Sequence, residues 1–273
     1  MKYVFHPLPY GIIFYADFAY RFLTMRIEEL IKRIRGVKGV LFDVDGTLMN
    51  VEERFYYHYN ENLSAFGIHP VTRGYYEFMR ERGILSIPIP DRNGKRQKFW
   101  MRFIEKFSNS DHPELGEPFA GTLETLEWLK ARNYKMGIVT GRTSTPQRVM
   151  DELEIHGLAQ FFEFVFTNND GIDGMNKANN LITAAHKLGL KVHQCAYVGD
   201  WQGDVQSASE AGIGLMIAVL SGGESKQSLE RFNPHVILES IADIPAFFEN
   251  PNLISTKSSS DNAPKTCLTC RNI

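Results

Sequence analysis

The 273-residue chain predicts an α/β fold: three layers around a central parallel sheet, with an α-helical cap inserted into it. Three observations predict this. Short apolar runs ending in a polar residue recur along the chain, and amphipathic helical patterns separate them. One helical stretch near the start, free of such runs, interrupts the alternation. Strands alternating with helices require a parallel sheet covered on both faces.

Taken in order, residues 1–36 read as an N-terminal extension and helix. Tyr10 to Met25 is aromatic and aliphatic but carries Asp17 and Arg21 and lacks a basic leader. It therefore reads as an extra helix packed on the body, or as the product of an early start codon, rather than as a signal peptide or anchor. Beyond it Ile27, Leu30, Ile31 and Ile34 recur at helical spacing, and Gly36 closes the helix. Val37 to Asp43 (VKGVLFD) is apolar without alternation, as a strand buried on both faces must be.

Between Met49 and Gly121 the pattern becomes helical, with candidates at Glu53–Phe66, Thr72–Arg82 and Arg96–Phe107 and a turn-rich exit, HPELGEPFAG. Residues 53–115 are assigned to the cap, and 37–52 with 116–250 to the core. Inside the cap, Arg92, Lys95, Arg96, Lys98 and Arg102 surround Phe99 and Trp100. The stretch reads as a solvated helix face with aromatics turned inward; the competing reading is a clamp for a second anionic group. Tyr56 and His58 carry the same two readings.

The core resumes with strand runs at Tyr134–Thr140, Phe161–Thr167, Cys195–Asp200 and Gly214–Leu220. Helical patterns lie between them at Thr122–Arg132, Thr145–Leu153, Lys177–Leu188 and Asp204–Ala211. Residues 251–273 are polar and Ser-rich without periodicity, so disorder is expected. Cys267 and Cys270 lack the second ligand pair of a zinc site.

Hydrophobic residues make up 43% and charged residues 23%, with a formal net charge of −2. That balance fits a soluble globular protein and gives no electrostatic reason to expect nucleic acid or an anionic membrane as partner; monomer or homodimer is the expectation for its assembly, on which composition is silent. Three cysteines, odd in number, fit a reducing, cytoplasmic setting.

Polar residues gather where the strand runs end: Asp43 and Asp45, Thr140 and Gly141, Asp200 and Asp204. Ligands of open parallel sheets bind in the crevice at those ends. Phosphoryl transfer needs a nucleophile, a divalent cation, donors for the phosphate oxygens and an acid for the leaving group. Asp43 and Asp45 lie two apart and can face one crevice. Gly46 lets the backbone turn and, with Thr47, offer amides to an anion. Magnesium (Mg2+) would take the Asp43 and Asp200 carboxylates and a backbone carbonyl near Asp45. Thr140 offers a hydroxyl, with the Gly141 amide beside it, and Lys177 offers an ammonium to phosphate and nucleophile together. Arg142 is either a surface charge or a second phosphate contact. The plainer readings are a strand terminus for Thr140, a solvated helix residue for Lys177, a helix cap for Asp204 and loop packing for Trp201.

Four motifs in order carry a resemblance to the haloacid dehalogenase-like superfamily: Asp43-Val44-Asp45-Gly46-Thr47, the strand ending at Thr140 in GIVTGRT, Lys177 at a helix start, and Gly199-Asp200-Trp201-Gln202-Gly203-Asp204. The resemblance implies a Rossmann-like core. It makes Asp43 the nucleophile, Asp45 the general acid and base, Asp200 the main metal ligand and Asp204 its support. The helical insertion resembles a class I cap, and EPFAGTLETLEWLKARNYKMGIVTG resembles phosphoglycolate phosphatase-like members. One departure is Ala-Asn-Asn after Lys177, where many members have Pro-x-Pro. The implied function is Mg-dependent hydrolysis of a small phosphorylated metabolite, a phosphomonoester, through an aspartyl-phosphate on Asp43. The alternatives are a phosphosugar mutase using the same intermediate, or a catalytically silent binding protein of the same fold.

Overall fold

The structure, a computed structural model, describes residues 27–168 and 177–252. The readings made for residues 1–24 and for the Cys267/Cys270 tail lie outside them. Residues Gly36–Pro245 form one unit and the terminal segments another. Within the terminal unit the described residues up to 35 belong to a helix, α1, which spans residues 27–36.

The larger unit is built on six parallel strands in the order β5-β4-β1-β6-β7-β8. These are β1 (Gly39–Phe42), β4 (Lys135–Val139), β5 (Val165–Phe166), β6 (Cys195–Gly199), β7 (Leu215–Val219) and β8 (Val236–Leu238). β1 lies inside the sheet between β4 and β6, with Phe42 opposite both Ile138 and Val198. The ends of these three strands are thereby level, and the residues that follow them emerge side by side. All four residues of β1 are buried, which explains its unbroken apolar sequence.

Helices cover the sheet. On one face Leu41, Tyr197, Met216 and Ala218 pack with Leu181 and Ala185 of α7 (Ala178–Lys187) and with Val205 and Ala208 of α8 (Gln202–Ala211). Val40, Phe42 and Val198 alternate with these residues and face the opposite layer, where Phe42 meets Phe162 edge to face with ring centroids 6.0 Å apart. α5 (Thr122–Ala131), α6 (Pro146–Ile155) and α9 (Lys226–Glu230) complete the connections of this unit, and α10 (Ile244–Glu249) follows.

The cap is α2 (Glu52–Ala65), α3 (Arg73–Glu81) and α4 (Lys95–Ser108). Its entry and exit strands, β2 (Met49–Asn50) and β3 (Glu117–Pro118), pair antiparallel with Met49 opposite Pro118. This two-residue ladder ties both ends of the insertion together. Tyr59, Leu63, Tyr76, Met79, Ile89, Phe99 and Phe103 give the cap its own buried core. Arg92 and Lys98 are exposed while Phe99 is fully buried, as expected of a solvated face with aromatics inside.

Two expectations are corrected. The run Phe161–Thr167 is a strand only at Val165–Phe166; Ala159–Phe161 form a 3-10 turn whose Phe161 is buried. Apolar residues there mark burial rather than extension, which a short apolar run cannot distinguish. The sequence reading also passed over β8, which is three residues long, at the sheet edge, with a half-buried centre. Among the described residues no helix is long and apolar enough to cross a membrane.

Candidate active site

The end of β1 sets the first acid. The Asp43 amide donates to the Val198 carbonyl at 2.9 Å, so the chain stays pinned to β6 one residue past the strand. Gly46 then turns at φ +79°, a left-handed angle that glycine adopts without strain. Its amide donates to Met49 O at 2.8 Å, and the Thr47 amide to Val44 O at 3.3 Å. This corrects the expectation that these amides receive an anion: the turn consumes them. Thr47 acts through its side chain instead, its hydroxyl donating to Asp200 Oδ1 at 3.2 Å.

Lys177 directly precedes α7 and is buried, so the solvated-helix reading falls. Its Nζ lies 2.7 Å from Asp204 Oδ1 and 3.0 Å from Asp43 Oδ1. Gly141 leaves room for its stem, since a Cβ there would stand 3.3 Å from Lys177 Cε. Asp204, the third residue of α8, also accepts from Tyr197 Oη at 3.0 Å and from the Trp201 amide at 3.2 Å. Asp204 is therefore both a helix cap and the anchor of Lys177, and both its oxygens are engaged.

Oxygens of Asp43, Asp200 and Asp204 all lie within 4.8 Å of one another. Three carboxylates thus share one ammonium. Burial pushes Asp43 up to about 6 against the pull of Lys177, with Asp204 and Asp45 adding to the rise. Burial, then Asp204 and Asp43, holds Asp200 well above the usual carboxylate range. Burial alone would depress Lys177, but Asp204 and Asp43 raise it above its ordinary value. The Asp43–Lys177 contact is an ion pair rather than an aligned hydrogen bond, and the buried Asp43 Oδ1 has no hydrogen-bond partner. Excess negative charge with an unfilled carboxylate oxygen fits a hard divalent cation, which takes oxygen ligands. Asp43 and Asp200 are the carboxylates free to hold it.

Asp200 is itself cradled. A Cβ at Gly46 or at Gly222 would collide with its carboxylate. Gly222→Ala is accordingly expected to displace Asp200 and weaken Mg2+ binding by about tenfold or more, while the thermal midpoint moves little. Isothermal titration with Mg2+ checks this, and unchanged affinity would refute the cradle.

Asp45 faces the same cavity but belongs to a second set of charges. Arg142 grips its carboxylate with two bonds, Nε to Oδ2 at 2.8 Å and Nη2 to Oδ1 at 2.5 Å. Arg142 also holds Glu152 of α6 with Nη1 to Oε2 at 2.6 Å. Arg54 of α2 grips Glu152 from the other side at 2.7 and 3.1 Å. Arg142 is 3% exposed, so the surface-charge reading falls; it is the buried clamp of Asp45, and it also lines the cavity. Against the rise that burial causes, Arg142 and then Arg54 pull Glu152 down to about 2.

A cavity of about 320 Å³ brings these groups together. Asp43, Asp45, Gly46, Gly141, Arg142, Lys177, Asp200 and Asp204 all line it; Thr47 and Thr140 do not. Thr140 is buried, and its hydroxyl oxygen accepts from the Arg142 amide at 3.4 Å. The cap contributes Glu52, Phe55, Arg80, Phe103, Ile104 and Phe107. None of the basic residues at 92–102 reaches the cavity, nor do Tyr56 and His58. Arg80 does, with Nη1 2.8 Å from Glu52 Oε2 and Nη2 donating to Gly222 O at 3.0 Å. Sequence reading missed Arg54, Arg80 and Glu152, because each is an ordinary polar residue of a helix whose partners come from distant segments. Trp201 also lines the cavity.

A parallel α/β sheet with paired acids, a buried lysine and a carboxylate cluster at its strand ends, under a helical cap, defines a phosphohydrolase. The model of the haloacid dehalogenase-like hydrolase family matches residues 40–218. The chain belongs to that family. It is 28% identical over 223 residues to pyrophosphatase PpaX of Bacillus cereus, covering 79% of this chain and 98% of that protein. A haloacid dehalogenase-like family hydrolase from Streptococcus pneumoniae shares the fold with a TM-score of 0.64 at 19% identity, over 78% of this chain and 99% of that one. A predicted phosphoglycolate phosphatase from Haemophilus somnus gives 0.62 at 21%, over 78% and 98%.

Proposed function

We propose that this protein is a Mg-dependent phosphatase that hydrolyses a small phosphomonoester through an aspartyl-phosphate on Asp43. The observation carrying this reading is the juxtaposition of Asp43 with Lys177, Asp200 and Asp45 on one cavity. In the first step an Asp43 oxygen attacks phosphorus, the bond to the leaving oxygen breaks, and Asp45 supplies that oxygen with a proton. In the second, water attacks the phosphorus of the aspartyl-phosphate, Asp45 takes the water proton, and inorganic phosphate leaves Asp43. The bidentate bond from Arg142 presents Asp45 as an acceptor, the form the second step needs. For the first step Asp45 must enter protonated, with one oxygen swung from the guanidinium toward the leaving group; the proton it gives up there is the one it takes back from water in the second step. Lys177 holds the nucleophile and meets the phosphate oxygens, and Gly141 lies against its stem, while Thr140 is not among the residues lining the cavity. Mg2+ held by Asp43, Asp200 and the Asp45 carbonyl, with Asp204 in support, would neutralise phosphate charge.

The substrate class is a small phosphorylated metabolite, and the protein acts as a monomer or homodimer. The setting is read as cytoplasmic, consistent with Cys195 being a buried free thiol that burial pushes up to about 11.

Purified protein is expected to release phosphate from p-nitrophenyl phosphate with Mg2+, to fall to background in excess EDTA, and to recover when Mg2+ is restored. An undiminished rate in EDTA would sink the metal-assisted reading.

A further inference from the structure

The cap side of the cavity sets an aromatic cluster beside the paired Glu52 and Arg80 and the buried Ser108. Phe55 of α2 and Phe103 and Phe107 of α4 form a ring cluster, with centroids 4.5 Å apart for Phe55–Phe103, 5.8 Å for Phe55–Phe107 and 5.7 Å for Phe103–Phe107. Ile104 and Phe119 extend this wall, and Phe55, Ile104, Phe107 and Phe119 are each only partly buried. Apolar surface is thus left facing the cavity opposite the carboxylates, where an occupant that displaces water from it would gain free energy.

The cations tell the complementary story. Among the described residues lining the cavity, each is already matched. Arg142 lies between Asp45 and Glu152, Lys177 between Asp43 and Asp204, and Arg80 between Glu52 and the Gly222 carbonyl. Lys177 sits at the nucleophile, where the transferring phosphoryl group goes. A second anionic group on the substrate, carried toward the cap, would meet aromatic rings and the Glu52 carboxylate. It would have to break the Arg80–Glu52 pair to find a counter-charge.

We infer that the cap wall is a subsite for an uncharged, apolar leaving group, so that the substrate is the phosphomonoester of an aromatic or bulky aliphatic alcohol rather than pyrophosphate or a phosphorylated carboxylic acid. The inference rests on the phosphatase reading above and sharpens it. It also separates this chain from the activity in the name of its PpaX relative, whose substrate carries a second phosphate.

The test compares kcat/KM for benzyl phosphate, ethyl phosphate, phosphoglycolate and pyrophosphate, with Mg2+ present. Benzyl and ethyl alcohol leave with similar ease, so their ratio reports the pocket and not the bond. Benzyl phosphate is expected to exceed ethyl phosphate by about 30-fold, in keeping with the burial of several extra carbons, with phosphoglycolate and pyrophosphate below both. Phe107→Ser should lower the benzyl-to-ethyl ratio about tenfold. Ile104→Arg, at a half-buried position that tolerates a longer side chain, should raise the phosphoglycolate-to-ethyl ratio about tenfold by supplying the missing free cation. It answers even if the Phe107 variant fails to fold. Turnover in which pyrophosphate or phosphoglycolate outruns benzyl phosphate overturns the inference and leaves the phosphohydrolase standing. Absence of phosphate release from every ester overturns the phosphatase reading, and the inference with it.

Discussion

Asp43→Asn is expected to cut phosphate release by about four orders of magnitude or more, the scale on which a nucleophile acts, without unfolding the protein. An amide is isosteric with the carboxylate but is no nucleophile and cannot serve as an anionic ligand. The surroundings predict that the fold tolerates it. Asp43 is buried, its Oδ1 makes no hydrogen bond, and its neighbour Lys177 keeps a shorter contact with Asp204 at 2.7 Å. Burial has raised the Asp43 carboxyl to about 6 from an ordinary value near 3.8. An acid whose folded value lies above its unfolded value destabilises the fold once pH exceeds the folded value; that penalty disappears as pH falls below the unfolded one. In EDTA at pH 7.5 the Asn variant should therefore be more stable than the wild type, and the gap should close on acidification toward pH 4. Single-turnover assays and urea midpoints in EDTA measure the two halves. A variant with near-normal turnover would remove Asp43 from the chemistry. One that unfolds would show that the carboxylate holds the structure together.

Much of this site could be read from the chain because its groups sit at predictable places. Asp43, Thr140 and Asp200 each directly follow a strand that a buried apolar run announces. A parallel sheet then forces such positions to one edge. What the sequence did not reveal is how the groups are wired. Arg142 stands three residues after Val139, the last residue of β4, and its neighbours carry no sign that it turns inward to a carboxylate 97 positions earlier. Arg54 looks like one more basic residue in an aromatic-rich helix, yet it is 1% exposed and spends both its Nη groups on Glu152. The basic cluster at 92–102 was legible as a solvated face because Phe99 fixes which side of α4 turns inward. The cap's contribution to the cavity comes from residues whose spacing only says that they are apolar. Periodicity identifies a buried face and cannot say whether the burial is against protein or against an empty chamber.

Arg142→Met is expected to destabilise the protein by about 3–5 kcal/mol, because it leaves carboxylates in a largely buried setting with no guanidinium between them. The two acids it separates are 20% and 11% exposed at the side chain, for Asp45 and Glu152, so solvent relieves little of their repulsion. The effect carries a pH signature with a definite sign. Glu152 sits at about 2 in the folded protein against an ordinary value near 4.5. Its ionised form therefore contributes about 3 kcal/mol above pH 4.5, a contribution that fades as pH falls toward 2. Removing Arg142 takes away most of that term while Arg54 retains a part. Between pH 6 and pH 3 the wild type should thus lose more stability than the variant, and at pH 7 the variant's urea midpoint should lie about 1–2 M lower. Arg142→Met combined with Glu152→Gln should recover part of the loss, since the second change removes the orphaned charge. Turnover should fall about a hundredfold in the single variant, for an Asp45 no longer held in place. Arg142→Lys should fall between, keeping the charge but not the two-pronged grip. The chain Asp45–Arg142–Glu152–Arg54 runs from the acid at the end of β1 to the first helix of the cap. Rates that fall in the double variant as far as in the single would show that catalysis depends on the guanidinium itself. Rates that recover along with stability would show that it depends only on keeping the two acids apart.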